Sequence, residues 1–217
     1  MTAAPCFRGD GSVMDLAAPQ AEDIDWRTVA YALARTFRFN GGHPDRPSIP
    51  VAQHCVMGAD ALFGETGDAL LAGFFLLHDA HEWRFGDFTT PAARLLAEVF
   101  AAAHGGNTFR HAAQARTAVL NAIEESKALL DRALFSKAGL PTPKAWPLDC
   151  QKAVRAMDAR MAVAEARALY GERAALAMPG NEMPPPKLRH ALAPWGAEKA
   201  AQEWLSRLSR FCGVSAR

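Results

Sequence analysis

The chain of 217 residues is half apolar and 22% charged, with a formal net charge of only +1. It holds enough apolar side chain for a sizeable core, so disorder is not the default, and its length does not demand two domains. The near-neutral balance gives no general electrostatic reason to expect a nucleic-acid polymer or an acidic membrane as partner.

The opening stretch, MTAAPCFRGDGSVMDLAAP, has no basic start followed by an apolar run and does not read as a signal peptide. Helical periodicity then dominates, with no convincing period-2 strand. Trp26 to Phe37 reads as a first helix with Asp25 as N-cap. After the polar loop NGGHPDRPS, Pro50 suits the first turn of a second helix, running to about Phe63 and interrupted by Glu65 to Gly67. A third helix is expected from about Asp68 to Trp83, apolar on nearly all sides until His78 and hence central; Gly86 breaks it. Thr90 and Pro91 restart the chain as N-cap and N1, and Gly105-Gly106 stop that helix. Asn107 to about Ala138 reads as one long helical stretch, and Pro147 opens another that reaches Tyr170. Met178 to Lys187 is too proline-rich for a helix, and an amphipathic segment from about Glu198 to Phe211 closes the chain. The expectation is a single all-α domain over residues 1–217, with a core of about 26–170 and a C-terminal loop and packing helix over about 171–211.

The four cysteines (Cys6, Cys55, Cys150, Cys212) are scattered without CxxC spacing. A zinc ribbon or thioredoxin-like motif is therefore not expected, and the residues read as reduced thiols of a cytoplasmic protein. The longest apolar run, Ala69 to Leu77, falls far short of the ~20 residues of a membrane span.

His78-Asp79, closing the apolar run ALLAGFFLLHDAHEW, is the most informative pair. Burying both without partners would cost several kcal/mol, on the order of 2–7 for a neutral polar group and more for a charge. An imidazole nitrogen and a carboxylate oxygen suit a hard-to-borderline divalent metal. His54, in VAQHCV, and Asp158, in VRAMDARMAVAE, offer the partners, and helical spacing sets Glu82 on the same side as His78 and Asp79. Singly, each has a plainer reading. His54 could be a hydrogen-bonded core residue, Asp158 a partner of Arg155 or Arg160, and His78-Asp79 a frayed helix end. Four residues of ligand type in this order make the joint coincidence less attractive.

With RFNGGH, SIPVAQHCVMGA, LLHDAHEWRFGDFTTP and VRAMDARMAVAEARAL, the chain resembles the HD-domain phosphohydrolase superfamily, in the bacterial and phage branch related to 5′-deoxynucleotidases. The resemblance spans roughly Val13 to Phe211 and implies an HD-type helical bundle. It implies one divalent metal (Mn, Co, Mg, Fe, Ni or Zn) on His54, His78, Asp79 and Asp158. Glu82 would be the acid/base residue, Asp87 a second acid near the scissile phosphate or sugar, Arg38 the phosphate-gripping arginine and Phe39 a residue against the sugar. Two departures stand out: Ala93 occupies a position that often holds lysine, with Arg94 beside it, and Phe39 replaces a frequent tryptophan. A second metal on His81, His104 or His111 is not favoured, since no extra His-His pair is present. The implied activity is hydrolysis of a (deoxy)nucleoside 5′-monophosphate by a homodimer, with no polymer or membrane partner. Alternatives are a triphosphate hydrolase, using Arg84, Arg94 and Lys152 for the extra phosphates, and a non-catalytic metal-containing nucleotide-binding domain. A cyclic-nucleotide or (p)ppGpp phosphodiesterase fits less well, because the other motifs of those branches are missing.

Overall fold

The computed structural model describes residues 3–106 and 108–215, and the fold is all-α. The helices are α1 (Trp26–Leu33), α2 (Val51–Thr66), α3 (Ala69–Leu77), α4 (Glu82–Phe85), α5 (Thr90–His104), α6 (Phe109–Ala138), α7 (Leu148–Tyr170), α8 (Glu172–Ala177) and α9 (Ala197–Cys212). A small antiparallel hairpin precedes them, β1 (Pro5–Phe7) and β2 (Val13–Asp15), with Cys6 opposite Met14. It departs from the expectation of no strand; three residues per strand are too few to carry a period-2 signal, and within it only Met14 is buried.

Local chemistry accounts for most helix boundaries. The Asp25 carboxylate accepts from the Thr28 amide at 2.9 Å and caps α1. That helix stops at Leu33, short of Phe37, because the chain pairs with the entry to α2: the Arg38 amide donates to Ile49 and the Val51 amide to Thr36, both at 2.9 Å. Pro50 is the extended N-cap of α2 and does not lie in its first turn. Helix α2 runs to Thr66, three residues beyond the expected end, where Gly67 closes it at φ 71°, and Asp68 caps α3 through the Leu71 amide. Thr89, one residue earlier than expected, stands at the N-cap of α5. Thr108 caps α6; Asn107, the expected start, lies outside the described residues. The short α8 has no sequence precedent, whereas Met178 to Lys187 is non-helical as expected.

The largest correction concerns the third helix, which is not continuous to Trp83. It ends at Leu77, and His78, Ala80, Glu82 and Trp83 each donate an amide hydrogen bond to the carbonyl three residues back, at 3.0–3.3 Å. This tightened turn leads into the single turn of α4.

The core forms where α9 crosses α1, α2 and α3, with Phe74, Phe75, Leu76, Leu77, Trp204 and Leu208 almost wholly excluded from solvent. Helix α7 packs on α2 and α3 from the other side, bringing Asp158 to the end of α3. Among the described residues no helix is long and apolar enough to cross a membrane.

Candidate metal centre

Three segments deliver the site: α2 carries His54, the tight turn after α3 carries His78 and Asp79, and α7 carries Asp158. His54 is fully buried, and its ring lies 5.4 Å from that of His78, centroid to centroid. One donor atom from each of the four residues falls within 4.8 Å of all the others. His54 Nε2 is 3.3 Å from Asp158 Oδ1 and 3.8 Å from Asp79 Oδ2; His78 Nε2 is 3.2 Å and 3.7 Å from Asp79 Oδ2 and Asp158 Oδ1. Donors roughly 2.0–2.2 Å from a common ion sit about 3.0–3.5 Å apart in tetrahedral or octahedral arrangements, so the spacing is close to that of a coordination shell.

Both imidazoles are set to present a lone pair to this point. The Phe75 carbonyl, 2.6 Å from His78 Nδ1, can only accept, which places the His78 proton on Nδ1. The Glu165 carboxylate, 2.8 Å from His54 Nδ1, does the same for His54. Each Nε2 is left buried without a directed hydrogen bond, an arrangement that a cation satisfies. Taken alone, the carboxylates draw protons onto these nitrogens. Burial disfavours the His78 imidazolium, yet the Asp79 charge and the contacts with Asp158 hold its pKa well above 6.5. His54 is raised too, by Glu165 and Asp158 against burial and the Arg38 charge. Despite burial, Asp79 is held well below the carboxylate range, chiefly by His78, and Asp158 by both histidines. Asp79, Asp158 and Glu165 against Arg38 leave two negative charges, which a divalent cation offsets. The donor set is nitrogen and oxygen only: Cys55 follows His54, but burial and then the Asp79 and Glu82 charges push its thiol well above its usual pKa.

Arg38 stands against the cluster. Its Nε donates to Glu165 at 3.1 Å, while Nη1 and Nη2 lie 3.5 Å and 3.9 Å from Asp79 and Asp158, too far for strong hydrogen bonds. Phe39 and Asn40 follow it at φ 55° and 53°, the left-handed region that side chains disfavour. Phe39 packs edge-on to Tyr170 at 5.7 Å and turns the loop onto the end of α7. Glu82 is 8% exposed, and its Oε2 has no partner; burial and then the Asp79 and Asp87 charges raise its pKa to about 9. Asp87 is partly buried and is also raised, by burial and then by Asp79 against Arg38.

Not every candidate joins the group. His104 and His111 are exposed on α5 and α6. A second trio, Asp79, His81 and Glu82, shares Asp79 with the first. Two residues escaped the sequence reading. Glu165, fully buried, orients both His54 and Arg38; its position two turns after Asp158 on α7 is the signal that could have found it. Asp131 on α6 lies 3.1 Å from His81 Nδ1. No protein-family model matches the chain, and no curated protein matches it.

Proposed function

We propose that the protein is a metal-dependent phosphohydrolase of the HD-domain type, acting on nucleoside 5′-monophosphates. The observation that carries this reading is the pair of buried, partnerless histidine Nε2 atoms aimed at two carboxylates, with an arginine fork alongside. A divalent ion held by His54, His78, Asp79 and Asp158 supplies Lewis-acid polarisation of a phosphoryl oxygen and acidifies water.

The chain's own residues provide the rest. Arg38 keeps its charge at any relevant pH, and Glu165 fixes its Nε edge, so both Nη groups face the cluster ready for a phosphate oxygen. Asp158, with its side chain 43% exposed, marks the open side by which substrate enters. Glu82, buried one turn beyond His78 and Asp79, is the residue to take the proton of the attacking water and return it to the leaving oxygen. Asp87, partly buried and raised by burial and then by Asp79 against Arg38, would be the second acid near the scissile phosphate or sugar.

A panel of nucleotides assayed with Mn²⁺, Co²⁺, Mg²⁺ and Zn²⁺ for released phosphate and pyrophosphate tests the reading. Nucleoside and orthophosphate from 5′-monophosphates are expected. Pyrophosphate release would redirect it to triphosphates, and bound metal with no turnover of any nucleotide would overturn it.

A further inference from the structure

A cavity of about 410 Å³ opens beside the metal centre and touches two of its four ligands, His78 and Asp79. Helix α6, the turn Pro143–Ala145 and α7 form its other walls. Small-molecule pockets usually measure roughly 300–1,000 Å³, so the space suits a nucleoside carried by a phosphate at the metal. Next to the two ligands the wall holds a polar pair that no step above uses. His81 and Asp131 are 6% and 9% exposed, and the Asp131 carboxylate accepts from His81 Nδ1 at 3.1 Å. A buried pair of this kind that served packing alone could give way to apolar side chains at little cost, and packing asks nothing of the second ring nitrogen. Here that nitrogen is free. His81 Nε2 has no hydrogen-bond partner among the described residues, yet it is not sealed from solvent as are the Nε2 atoms of His54 and His78. The ring also stands next to the chemistry: one of its nitrogens lies within 4.8 Å of an Asp79 and a Glu82 oxygen.

Asp131 takes the Nδ1 proton, so Nε2 presents a lone pair, and whatever meets it must bring a hydrogen. The phosphate oxygens at the metal have none to bring. Along the nucleotide, the first group beyond the phosphoester that does is the 3′-hydroxyl of the sugar, present in ribose and 2′-deoxyribose alike. The amino groups of the bases lie beyond the furanose. Resting on the phosphohydrolase reading above, we infer that His81, oriented by Asp131, binds the 3′-hydroxyl of the nucleotide and so seats the nucleoside in this cavity, with the 5′-oxygen directed at the metal. The same contact disfavours nucleotides esterified at the 3′-oxygen, which would meet Nε2 without a hydrogen.

Calorimetric titration of the metal-loaded protein with non-hydrolysable nucleoside 5′-phosphonates tests the contact, with each common base in turn. The two probes differ only at C3′: a 2′-deoxy phosphonate that keeps its 3′-hydroxyl and a 2′,3′-dideoxy phosphonate that lacks it. The hydroxyl should be worth about tenfold in affinity. Two substitutions separate binding from support, because an asparagine amide reproduces the Nδ1 side of an imidazole and a glutamine amide the Nε2 side. His81→Asn keeps a donor for Asp131 and should erase the difference between the probes, whereas His81→Gln should retain part of it. Both should hold as much metal as the parent. Equal affinity for the two probes in the parent, or no binding of either, overturns the inference, and so does a difference that survives in His81→Asn. Loss of metal from His81→Asn overturns it too, since the ring would then act through the metal centre. In each of those cases release of phosphate from 5′-monophosphates by the parent would leave the phosphohydrolase reading standing. A hydroxyl-dependent gain that His81→Asn erases, with no phosphate released from any nucleotide, would keep the contact and overturn hydrolysis.

Discussion

Glu165 serves two neighbours with one carboxylate: Oε1 accepts from His54 Nδ1 and Oε2 from Arg38 Nε. Substituting Glu165→Gln keeps an acceptor but removes the charge, so the histidine loses basicity and the arginine its counterion. A 10–100-fold loss of metal affinity is expected, measured by competition with a chelating dye. Glu82 answers to different measurements. Glu82→Gln should keep its metal and lose about 10²–10⁴ in turnover; a metal-free variant would make Glu82 a ligand. The raised pKa also has a sign for stability. A carboxyl whose folded pKa is about 9, against an ordinary 4.5, stabilises the fold below 4.5 and loses that contribution as pH rises towards 9. In denaturant titrations of metal-free protein between pH 5 and 6.5, Asp87, also raised, adds a loss of the same sign, so the difference between the parent and Glu82→Gln reads this group. Asp79, Asp158 and Glu165, all lowered, are ionised there in both states, while His54 and His78, both raised, begin their own loss as pH nears 6.5, in parent and variant alike. Stability should fall across that window in the parent and stay flatter in Glu82→Gln.

Helices α2 and α3 meet at Gly58, where a Cβ would stand 2.1 Å from Phe75 Cε1. The Phe75 ring in turn lies against both metal-facing histidines, 5.6 Å from His54 and 4.5 Å from His78 between centroids. Gly58→Ala should therefore act through packing, costing about 1–3 kcal/mol in denaturant titration and lowering metal affinity although it touches no ligand. An unchanged metal affinity would separate the helix contact from the centre. The same elements show how far sequence reaches. Periodicity and the flanking Asp, Pro and Gly residues place α2, α5, α6, α7 and α9 to within a few residues. The break after Leu77 leaves no mark, because the stretch from Phe74 to Phe85 carries no Gly or Pro and a switch from i−4 to i−3 bonding needs neither. His54, His78, Asp79 and Asp158 are visible because ligand-type residues are costly inside a core. Glu165 is hidden because, among Arg160, Arg167 and Glu172, a lone acid on α7 reads as one more surface charge. Its burial is a tertiary fact.

Across the whole molecule, apolar packing is unevenly distributed. The core cluster draws on α1 to α4, on α7 and α9 and on the far end of α6, from Leu130 to Ala138, but on no residue of α5. Helix α5 buries only Ala97 and Ala101, and packs chiefly on α6. Along the two helices Leu95, Leu96, Val99, Phe100, Phe109 and Leu120 face outward, Phe109 at 88% exposure. Such a hairpin draws its stability from its own short-range contacts, so it can open while the bundle and its metal ligands stay folded. Native-state hydrogen exchange should resolve two tiers. Amides of α5 and the first half of α6 should exchange through a local opening that is insensitive to added metal. Those of α2 and α3 should exchange only through global unfolding and slow further when metal binds. A single shared exchange free energy would mean that the hairpin and the bundle unfold as one unit.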